Sequence, residues 1–414
     1  MSEIIVGLDV GTSKICALVA SLEDNGKANI LGLAKVPSEG LLLEGNVVNI
    51  ERTAESIRKV INMVENQSGE KVKSVVVGIA SGDLRGMESV SVIATRPPKH
   101  IITQDDVVRL VNEARNIRHS SDTEIIHVLP QEFKVDGVKI EKSQDLIGMV
   151  GIKVEARVHI ILAKLSAVEN LRQAVMRAGY EVEDFVSEPL ASSYAVLDPE
   201  EKEIGVVLID IGAGTADISI FEDNVLKYTG SLPIAGNQIT MDIRKAFTIP
   251  KELAEKLKIT EGYAYLNEIM EDKIITVQGV GGRGPFEITR SMLCRVIQPR
   301  VEEIFELLYK EHLREYVRSQ NLSAGIVLTG GTSLLKGIDK LVEDKFEMPV
   351  RVGIPSRSKF SGGLVNEIEN PIYSTVVGLV LYKIDEIQKS RERSGRGLSD
   401  AVRKLMEFFK TIFH

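Results

Sequence analysis

The sequence contains no tryptophan, and its only cysteines are Cys16 and Cys294. Two thiols so far apart exclude a disulfide framework and a cysteine-rich metal site, so we expect both to be buried in a protein of a reducing compartment. Also missing is any run of about 18–20 apolar residues, the length that a transmembrane helix requires. Any membrane contact is therefore expected to be peripheral.

An excess of positive charge is missing as well. The chain has 51 Lys and Arg against 59 Asp and Glu, a net charge of −8, which argues against nucleic acid as a partner. The chain starts Met-Ser-Glu, with no basic residue before the first apolar run, so we expect no signal peptide. A length of 414 residues predicts two or more domains.

What the chain does contain is an internal repeat. Residues 5–13 (IVGLDVGTS) resemble residues 208–215 (LIDIGAGT): each is an apolar strand that ends in Asp-x-Gly, before a turn of small residues. Glycines let backbone N–H groups approach a ligand, Thr and Ser hydroxyls add donors, and an Asp at a strand end suits Mg²⁺. Two such turns facing each other would clamp a triphosphate. Because a single Asp-x-Gly turn is common in ordinary hairpins, the prediction depends on the pair.

A third glycine turn occurs in residues 326–333 (IVLTGGTS), after an apolar strand and before a predicted helix. Such a turn lets a base or an α-phosphate approach the backbone, although a plain strand–helix turn has the same pattern. None of the three turns is a P-loop, because no Gly-Lys-Ser/Thr opens a helix.

The three turns, residues 188–191 (EPLA) and a helix around residues 374–382 follow the order of the nucleotide-site elements of the actin/Hsp70/sugar-kinase superfamily. Within it, the chain resembles the FtsA family of bacterial cell-division proteins, through residues 127–133 (HVLPQEF), residues 148–160 and the C-terminal tail. The resemblance implies an α/β fold: actin-like (ribonuclease H-like) duplicated domains around a central nucleotide cleft, with two smaller subdomains and a C-terminal amphipathic helix. It also implies ATP and Mg²⁺ as ligands.

By this resemblance Asp9 and Asp210 would hold Mg²⁺, and Glu188 and Asp210 would be the catalytic carboxylates, with Glu188 orienting the attacking water. Asp217 would have a supporting role. Lys14 would neutralise phosphate charge, although a solvated turn lysine explains its position equally well. The resemblance further implies that the residues of the three turns bind the nucleotide: Gly11, Thr12, Ser13, Gly212, Ala213, Gly214, Thr215, Gly330, Gly331 and Thr332.

Residues 254–258 (AEKLK) resemble the helix on the adenosine side of the superfamily's site. Glu255 and Lys258 are three residues apart, so both side chains can face ribose and adenine. The alternative is an exposed ion pair on the helix surface. The second turn carries Ala213 where some relatives have glycine or an acid, so we expect tight Mg·ATP binding with slow hydrolysis at most.

Composition and the resemblance together divide the chain into a body, a linker and a tail. We predict a first half with an inserted small α+β domain, a second half with its own small domain, and a polar, flexible linker. The ranges are 1–83 and 163–203 (first half), 84–162 (insert), 204–241 and 309–385 (second half and closing helix), 242–308 (second small domain), 386–397 (linker) and 398–414 (tail).

The last seventeen residues have the pattern of an amphipathic helix. At 100° per residue, its apolar side chains fall within one arc of about 160° and its polar ones in the opposite arc. Residues 389–414 carry seven basic and three acidic residues, a net charge of +4. Such a helix suits an anionic cytoplasmic leaflet, the alternative being a helix docked on the body. The predicted membrane contacts are Leu398, Val402, Leu405, Phe408, Phe409, Ile412 and Phe413.

The resemblance also implies partners. FtsA-like proteins receive the C-terminal peptide of the tubulin-like protein FtsZ on the second small domain, assemble into actin-like protofilaments and recruit later division proteins. Arg300 is a candidate FtsZ contact, its alternative role being a charge at the N-terminal end of a helix. We therefore expect a peripheral protein on the cytoplasmic face of the cell membrane, at the division septum, that tethers FtsZ polymers.

Three alternatives share the fold. An Hsp70-type chaperone needs a substrate-binding region after the nucleotide domain, and only about 30 residues remain there. A small-molecule (sugar-type) kinase needs a sugar pocket and a catalytic base, for which no candidate stands out. An actin-like inner-membrane assembly protein of a type IV pilus is the nearest alternative, and it differs by lacking the amphipathic tail.

Overall fold

Two large β-sheets form the centre of the protein in the computed structural model, which describes residues 3–38, 41–140, 143–279, 281, 284–319 and 322–395. The strands of the first sheet are β1 (Glu3–Val10), β2 (Lys14–Leu22), β3 (Ala28–Pro37), β6 (Ser74–Ile79), β11 (Glu181–Ser187) and β19 (Phe360–Gly363). Their spatial order is β11-β6-β1-β2-β3-β19.

The second sheet combines strands of the second half with those of the insert. The second half contributes β12 (Val206–Ile211), β13 (Ala216–Glu222), β14 (Val225–Leu232), β17 (Gly325–Thr329) and β18 (Val350–Val352). The insert contributes β7 (Arg85–Ala94), β8 (Thr123–Val135), β9 (Val138–Ile140) and β10 (Lys153–Lys164). The spatial order is β18-β17-β12-β13-β14-β7-β10-β8-β9.

The two halves have the same topology. In the first, β1, β2 and β3 form an antiparallel meander, and β6 and then β11 add parallel to β1. In the second, β12, β13 and β14 form the meander, and β17 and then β18 add in parallel. The predicted duplication is therefore confirmed, and it places the two Asp-x-Gly turns at equivalent points of the two sheets.

Helices cover the sheets, and two short hairpins lie outside them. The helices are α1 (Ile50–Ser68), α2 (Gln104–Arg115), α3 (Leu165–Ala178), α4 (Glu188–Val196), α5 (Pro199–Ile204), α6 (Gly236–Phe247), α7 (Lys251–Glu261), α8 (Arg290–Leu308), α9 (Arg314–Ser319), α10 (Ile338–Phe346) and α11 (Ser374–Gly395). The hairpins are β4 (Leu42–Leu43) with β5 (Asn46–Val47), and β15 (Ile274–Val277) with β16 (Phe286–Thr289).

Local signals explain where the helices begin. The Thr103 side chain accepts a hydrogen bond from the Asp106 N–H, and Asp106 accepts one from the Thr103 N–H, which is a capping box at the start of α2. Helix α1 begins after Asn49, which accepts a bond from Arg52 N, and ends at Gly69 with φ 73°.

The insert makes direct contacts with the second half of the protein. Gly230 of β14 pairs with Arg85 of β7, so one backbone bridge joins its sheet to that of the second half. The Gln131 amide donates to the Leu226 carbonyl at 2.8 Å. The buried His159 ring lies 3.2 Å from the Thr229 hydroxyl. The insert therefore packs directly on β14 rather than hanging from its two chain connections.

The last described helix is longer than predicted. Helix α11 runs to Gly395, so residues 386–395 are helical and the prediction of a flexible linker there was wrong. Charged side chains explain the difference: Lys389 pairs with Asp385 at 2.6 Å one turn earlier, and Arg391 pairs with Glu3 at 3.0 Å. A polar stretch of good helix formers can extend a helix as readily as it forms a linker.

Helices α4 and α11 pack against each other between the two sheets. A Cβ on Gly378 of α11 would collide with the Ala191 carbonyl oxygen of α4, so only glycine allows this approach. The surrounding cluster draws buried side chains from α11 and from both halves, among them Val376, Val380, Leu18 and Leu208. The halves are therefore joined through this helix pair.

We expect Gly378→Ala to destabilise the protein by about 2–4 kcal/mol, because overpacking forces the two helices apart. The matched control is Gly284→Ala, where a Cβ would meet nothing within 4 Å. Chemical denaturation of both variants checks this expectation. Equal unfolding midpoints would contradict the described packing.

Candidate functional site

The two Asp-x-Gly turns have the same hydrogen bonding and touch each other. Gly11 N donates to Lys14 O at 3.0 Å in the first turn, and Gly212 N donates to Thr215 O at 2.9 Å in the second. A Cβ on Gly214 would collide with the Thr12 side chain. The structure therefore brings the turns of both halves together at one place, although about 200 residues separate them in sequence.

Four carboxyl groups lie buried beside these turns. Asp9 ends β1, Asp210 lies in β12 and pairs with Asp217 of β13, and Glu188 starts α4. Burial raises the pKa of Asp9, of Asp210 to about 6 and of Asp217 to about 7. Burial, and then the nearby Asp9, Asp217 and Asp210, raise the pKa of Glu188 well above its usual value. Their ionised forms are therefore unfavourable here.

Among the described residues, two buried oxygen atoms of this cluster have no hydrogen-bond donor within bonding distance. They are Glu188 Oε1 and Asp217 Oδ1, and the Ser231 hydroxyl lies near Asp217. A buried carboxylate oxygen without a donor is costly, unless a cation or a ligand satisfies it. Among the described residues no group of three or more side chains is arranged to hold a metal ion by itself. Mg²⁺ needs only one or two carboxylates when waters and phosphate oxygens complete its shell, so these acids fit a cation that arrives with a nucleotide.

Lys14 supplies positive charge to the cluster. Its Nζ lies 3.5 Å from Asp9 Oδ2. Burial lowers the pKa of the Lys14 ammonium, but Asp9 and the neighbouring acids outweigh this effect, so the pKa is raised. Lys14 is thus held among carboxylates and is not a solvated turn lysine.

Ser192 is a residue of this site that the sequence analysis missed. Its hydroxyl donates to Asp210 Oδ2 at 2.6 Å and lies 3.3 Å from the Thr375 hydroxyl of α11. Ser192 is four residues after Glu188 in a helix, so both lie on one face. That spacing is a signal that sequence reasoning could have used.

The third glycine turn lies against the second Asp-x-Gly turn. Gly330 has φ 83°, and a Cβ there would collide with Asp210 Oδ1, so glycine is required. The Thr332 hydroxyl donates to the Gly212 carbonyl at 2.7 Å. A Cβ on Gly331 would meet no closer atom than one of the Ile372 side chain, at 3.7 Å. The predicted helix after this turn is only a 3-10 turn, Gly331–Leu334.

Lys258 and Glu255 lie near the second turn, and the lysine is buried. The Lys258 ammonium is buried and donates to Gly236 O at 3.0 Å and to the Thr240 hydroxyl at 2.8 Å, and it pairs with Glu255 at 2.8 Å. Burial lowers its pKa. The ion pair of the alternative interpretation is therefore present, but its lysine is buried and only Glu255 is partly exposed. Through Gly236, whose N–H donates to Gly212 O, Lys258 is connected to the second turn.

Arg300 lies outside this cluster, in the middle of α8. The alternative role of Arg300, a charge at the N-terminal end of a helix, is ruled out because α8 begins at Arg290 and continues through Pro299. The guanidinium donates to both carboxylate oxygens of Asp242, at 2.6 and 3.2 Å, and bonds Glu303. Its charge is thus already paired within the protein.

The predicted membrane contacts in residues 398–414 lie outside the described residues. In the part of the chain that the structure does describe, no helix is both long and apolar enough to cross a bilayer.

Family models together match residues 82–378 of the chain. The model "Cell division protein FtsA" matches residues 207–378, and "SHS2 domain inserted in FTSA" matches residues 82–162, which contain β7 to β9 and most of β10. A model of the type IV pilus assembly protein PilM matches residues 132–272.

Full-length relatives favour the first of these families. A cell division protein FtsA of Pseudomonas aeruginosa is 39% identical, over 96% of this chain and 93% of the relative. One of Borreliella burgdorferi is 40% identical, over 92% and 91%. One of Escherichia coli K12 is 33% identical, over 92% and 90%.

Solved structures of lower identity share the fold. The PilM–PilN type IV pilus biogenesis complex has a TM-score of 0.64 at 19% identity, covering 92% of this chain and 98% of that one. MreB5 of Spiroplasma citri bound to ADP has 0.55 at 16%, covering 94% and 98%. The MamK double helical filament has 0.52 at 14%, covering 92% and 98%.

These solved structures establish the actin-like fold. Sequence identity of 33–40% to the curated relatives, along nearly the whole chain, also establishes the family. The chain belongs to the FtsA family of cell division proteins.

Proposed function

We propose that the protein binds Mg·ATP at the meeting point of the three glycine turns and tethers FtsZ polymers to the cytoplasmic membrane during cell division. The observation that carries the proposed nucleotide binding is the buried carboxyl cluster between two touching Asp-x-Gly turns, in which Glu188 Oε1 has no donor among the described residues. The proposed role in cell division is supported by the chain's membership of the FtsA family. Turn glycines and hydroxyls suit phosphate oxygens, and the acids suit a divalent cation.

In this proposal Asp9 and Asp210 hold Mg²⁺, which neutralises phosphate charge when bound. Lys14 is placed beside Asp9 and adds a second positive charge near the phosphates. Ser192 fixes the orientation of the Asp210 carboxylate through its 2.6 Å hydrogen bond. On the adenosine side, Lys258 and its partners shape the wall behind the second turn.

Hydrolysis is proposed to be slow. Glu188 is the candidate to orient an attacking water, and in the nucleotide-free protein burial and the neighbouring carboxyl groups raise the pKa of its side chain. The second turn carries Ala213 where some relatives in the superfamily have glycine or an acid, and this difference supports slow turnover. We therefore expect ATP to regulate assembly rather than to drive rapid chemistry.

The membrane part of the proposal depends on residues 398–414 and on the basic residues before them. Residues 389–414 carry a net charge of +4 in a chain of −8. Each basic residue near an anionic surface contributes about 1 kcal/mol, and three phenylalanines supply apolar area. We propose a peripheral position on the cytoplasmic face at the septum.

The proposed partners are the FtsZ C-terminal peptide, further copies of this chain and later division proteins. A filament is a known assembly of this fold, since the related MamK structure is a double helical filament. For FtsZ, the second small domain is the proposed docking region and Arg300 the proposed contact.

Co-sedimentation with FtsZ polymers tests the division function against the pilus alternative. We expect the purified chain to pellet with FtsZ polymers and to remain in solution with FtsZ that lacks its C-terminal peptide. A chain that never pellets with FtsZ would favour the pilus assembly function that the PilM likeness suggests.

A pair of variants tests the role of Arg300. We expect Arg300→Ala to lower the affinity for the FtsZ peptide about tenfold, a usual cost for an interface arginine. Asp242→Ala removes the internal partner of Arg300 but leaves its charge, so we expect affinity within about threefold of wild type. Equal losses in both variants, measured by fluorescence anisotropy, would mean that Arg300 acts only by supporting the fold.

A further inference from the structure

The buried residue Ser38 donates hydrogen bonds to two carbonyl groups of the first Asp-x-Gly turn. Its hydroxyl donates to the Gly11 carbonyl at 2.6 Å, and its N–H donates to the Ser13 carbonyl at 3.1 Å. The Ser38 residue is 0% exposed, so it cannot touch a ligand in the cleft. It follows β3 directly and lies 27 residues after Gly11.

The carbonyls of the second turn are held in the same way by other residues. The Gly212 carbonyl accepts from the Thr332 hydroxyl at 2.7 Å and from Gly236 N at 3.2 Å. The Ala213 carbonyl accepts from Asn237 N at 2.8 Å. Both turns therefore have their peptide oxygens tied to residues from elsewhere in the chain.

Holding a carbonyl also sets the direction of the N–H in the same peptide unit. In a planar trans peptide the C=O and the N–H point in opposite directions. The tied oxygens of Gly11, Gly212 and Ala213 thus orient the N–H groups of Thr12, Ala213 and Gly214. Within the described part of the chain, these three N–H groups donate to no other residue. Successive free N–H groups form a concavity that binds anions.

We propose that Ser38 is a positioning residue of the nucleotide site, whose hydroxyl and N–H hold the first turn so that its Thr12 N–H faces the phosphates. Thr332, with the backbone of Gly236 and Asn237, has this role for the second turn. The inference depends on the proposed nucleotide function, and it adds how the chain recognises phosphate rather than the nucleoside.

The test compares phosphate-bearing and phosphate-free ligands. Isothermal calorimetry with Mg²⁺ measures ATP, ADP and adenosine binding to the full chain and to Ser38→Ala. We expect about a tenfold loss for ATP and ADP, which corresponds to about 1.4 kcal/mol, and adenosine affinity within twofold of wild type. Ser38→Thr retains the hydroxyl and should bind ATP as the wild type does.

The control is Ser91→Ala, a buried serine of the insert whose hydroxyl donates to the Leu110 carbonyl at 2.8 Å. It should leave all three affinities unchanged. A Ser38→Ala chain that binds ATP as tightly as wild type, or that loses adenosine and ATP equally, would overturn the positioning role alone. A wild-type chain that binds neither ligand would overturn the nucleotide function with it.

The second turn supplies an independent pair of variants, should Ser38→Ala not fold. Thr332→Val keeps the side-chain shape without the hydroxyl, and Thr332→Ser keeps the hydroxyl. We expect the ratio of ATP affinity to adenosine affinity to fall about tenfold in the valine variant and to stay near wild type in the serine variant. Equal ratios in both would overturn the proposal.

Discussion

Replacing Asp210 with asparagine should stabilise the nucleotide-free protein and, at the same time, weaken its binding of Mg·ATP by about 100-fold. The two effects have opposite signs because the carboxylate is costly in the empty cleft and useful to a bound cation. Burial raises the pKa of Asp210 to about 6, against a usual value of 3.8. Each pKa unit corresponds to about 1.4 kcal/mol, so removal of the charge should increase the free energy of unfolding by about 1–3 kcal/mol at pH 7.5.

The sign of this effect also predicts its pH dependence. A carboxyl whose folded pKa is raised destabilises the protein fully above that value and not at all below the unfolded pKa. The advantage of Asp210→Asn should therefore be greatest above about pH 6 and vanish near pH 4. The Ser192 hydroxyl can still donate to the amide oxygen of asparagine, so the local geometry is retained.

Asp106→Asn is the matched control for stability. Burial raises the pKa of Asp106, but its hydrogen bonds with Thr103 outweigh burial and lower it. That variant should lose about 1 kcal/mol by weakening the capping box of α2 and should bind Mg·ATP normally. Denaturation curves and calorimetry measure both quantities. An Asp210→Asn chain that is less stable than wild type, with unchanged ATP affinity, would mean that the carboxyl cluster is structural.

Deleting residues 398–414 should abolish co-flotation of the protein with anionic liposomes. The apolar arc of this segment contains three phenylalanines and several aliphatic side chains, and its polar arc carries Arg403, Lys404 and Lys410. Partitioning of such a helix depends on buried apolar area and on attraction to anionic lipid. We expect the bound fraction to fall at least about 100-fold, because the apolar area and the basic residues of this segment are lost together.

Point variants and salt separate the contribution of apolar area to membrane binding from that of electrostatic attraction. Phe408→Glu with Phe409→Glu places charge on the apolar arc and should match the deletion, whereas Ser399→Ala on the polar arc should float as the wild type does. High salt should weaken, but not abolish, wild-type binding, because screening affects only the charge contribution. Undiminished flotation of the deleted chain would assign membrane contact to the body.

Much of the central fold could be predicted from the sequence, since its signals are local. The strand–turn–strand around Asp9 and its copy around Asp210 are apolar runs separated by glycine turns, and Thr103 has the spacing of a capping box. These patterns depend on neighbours within a few residues. The duplication then follows from comparing the two runs.

The remaining features depend on contacts between distant parts of the chain. Ser38 is an ordinary loop serine until folding places it behind Gly11, and the pairing of Gly230 with Arg85 has no local signal. Lys258 has the helical spacing of a surface ion pair, and only tertiary packing buries it. Residues 386–395 have a composition that suits either a linker or a helix, and contacts such as Arg391 with Glu3 favour the helix.

One reconstitution directly tests whether this chain connects FtsZ polymers to a membrane, as we propose. Fluorescent FtsZ polymers are mixed with anionic liposomes, Mg·ATP and either the full chain or the chain without residues 398–414, and then floated on a density gradient. We predict that FtsZ rises with the liposomes only when the full chain is present, while the shortened chain still co-sediments with FtsZ polymers. FtsZ that stays at the bottom with the full chain, or that floats equally with the shortened one, would contradict the proposed tethering function.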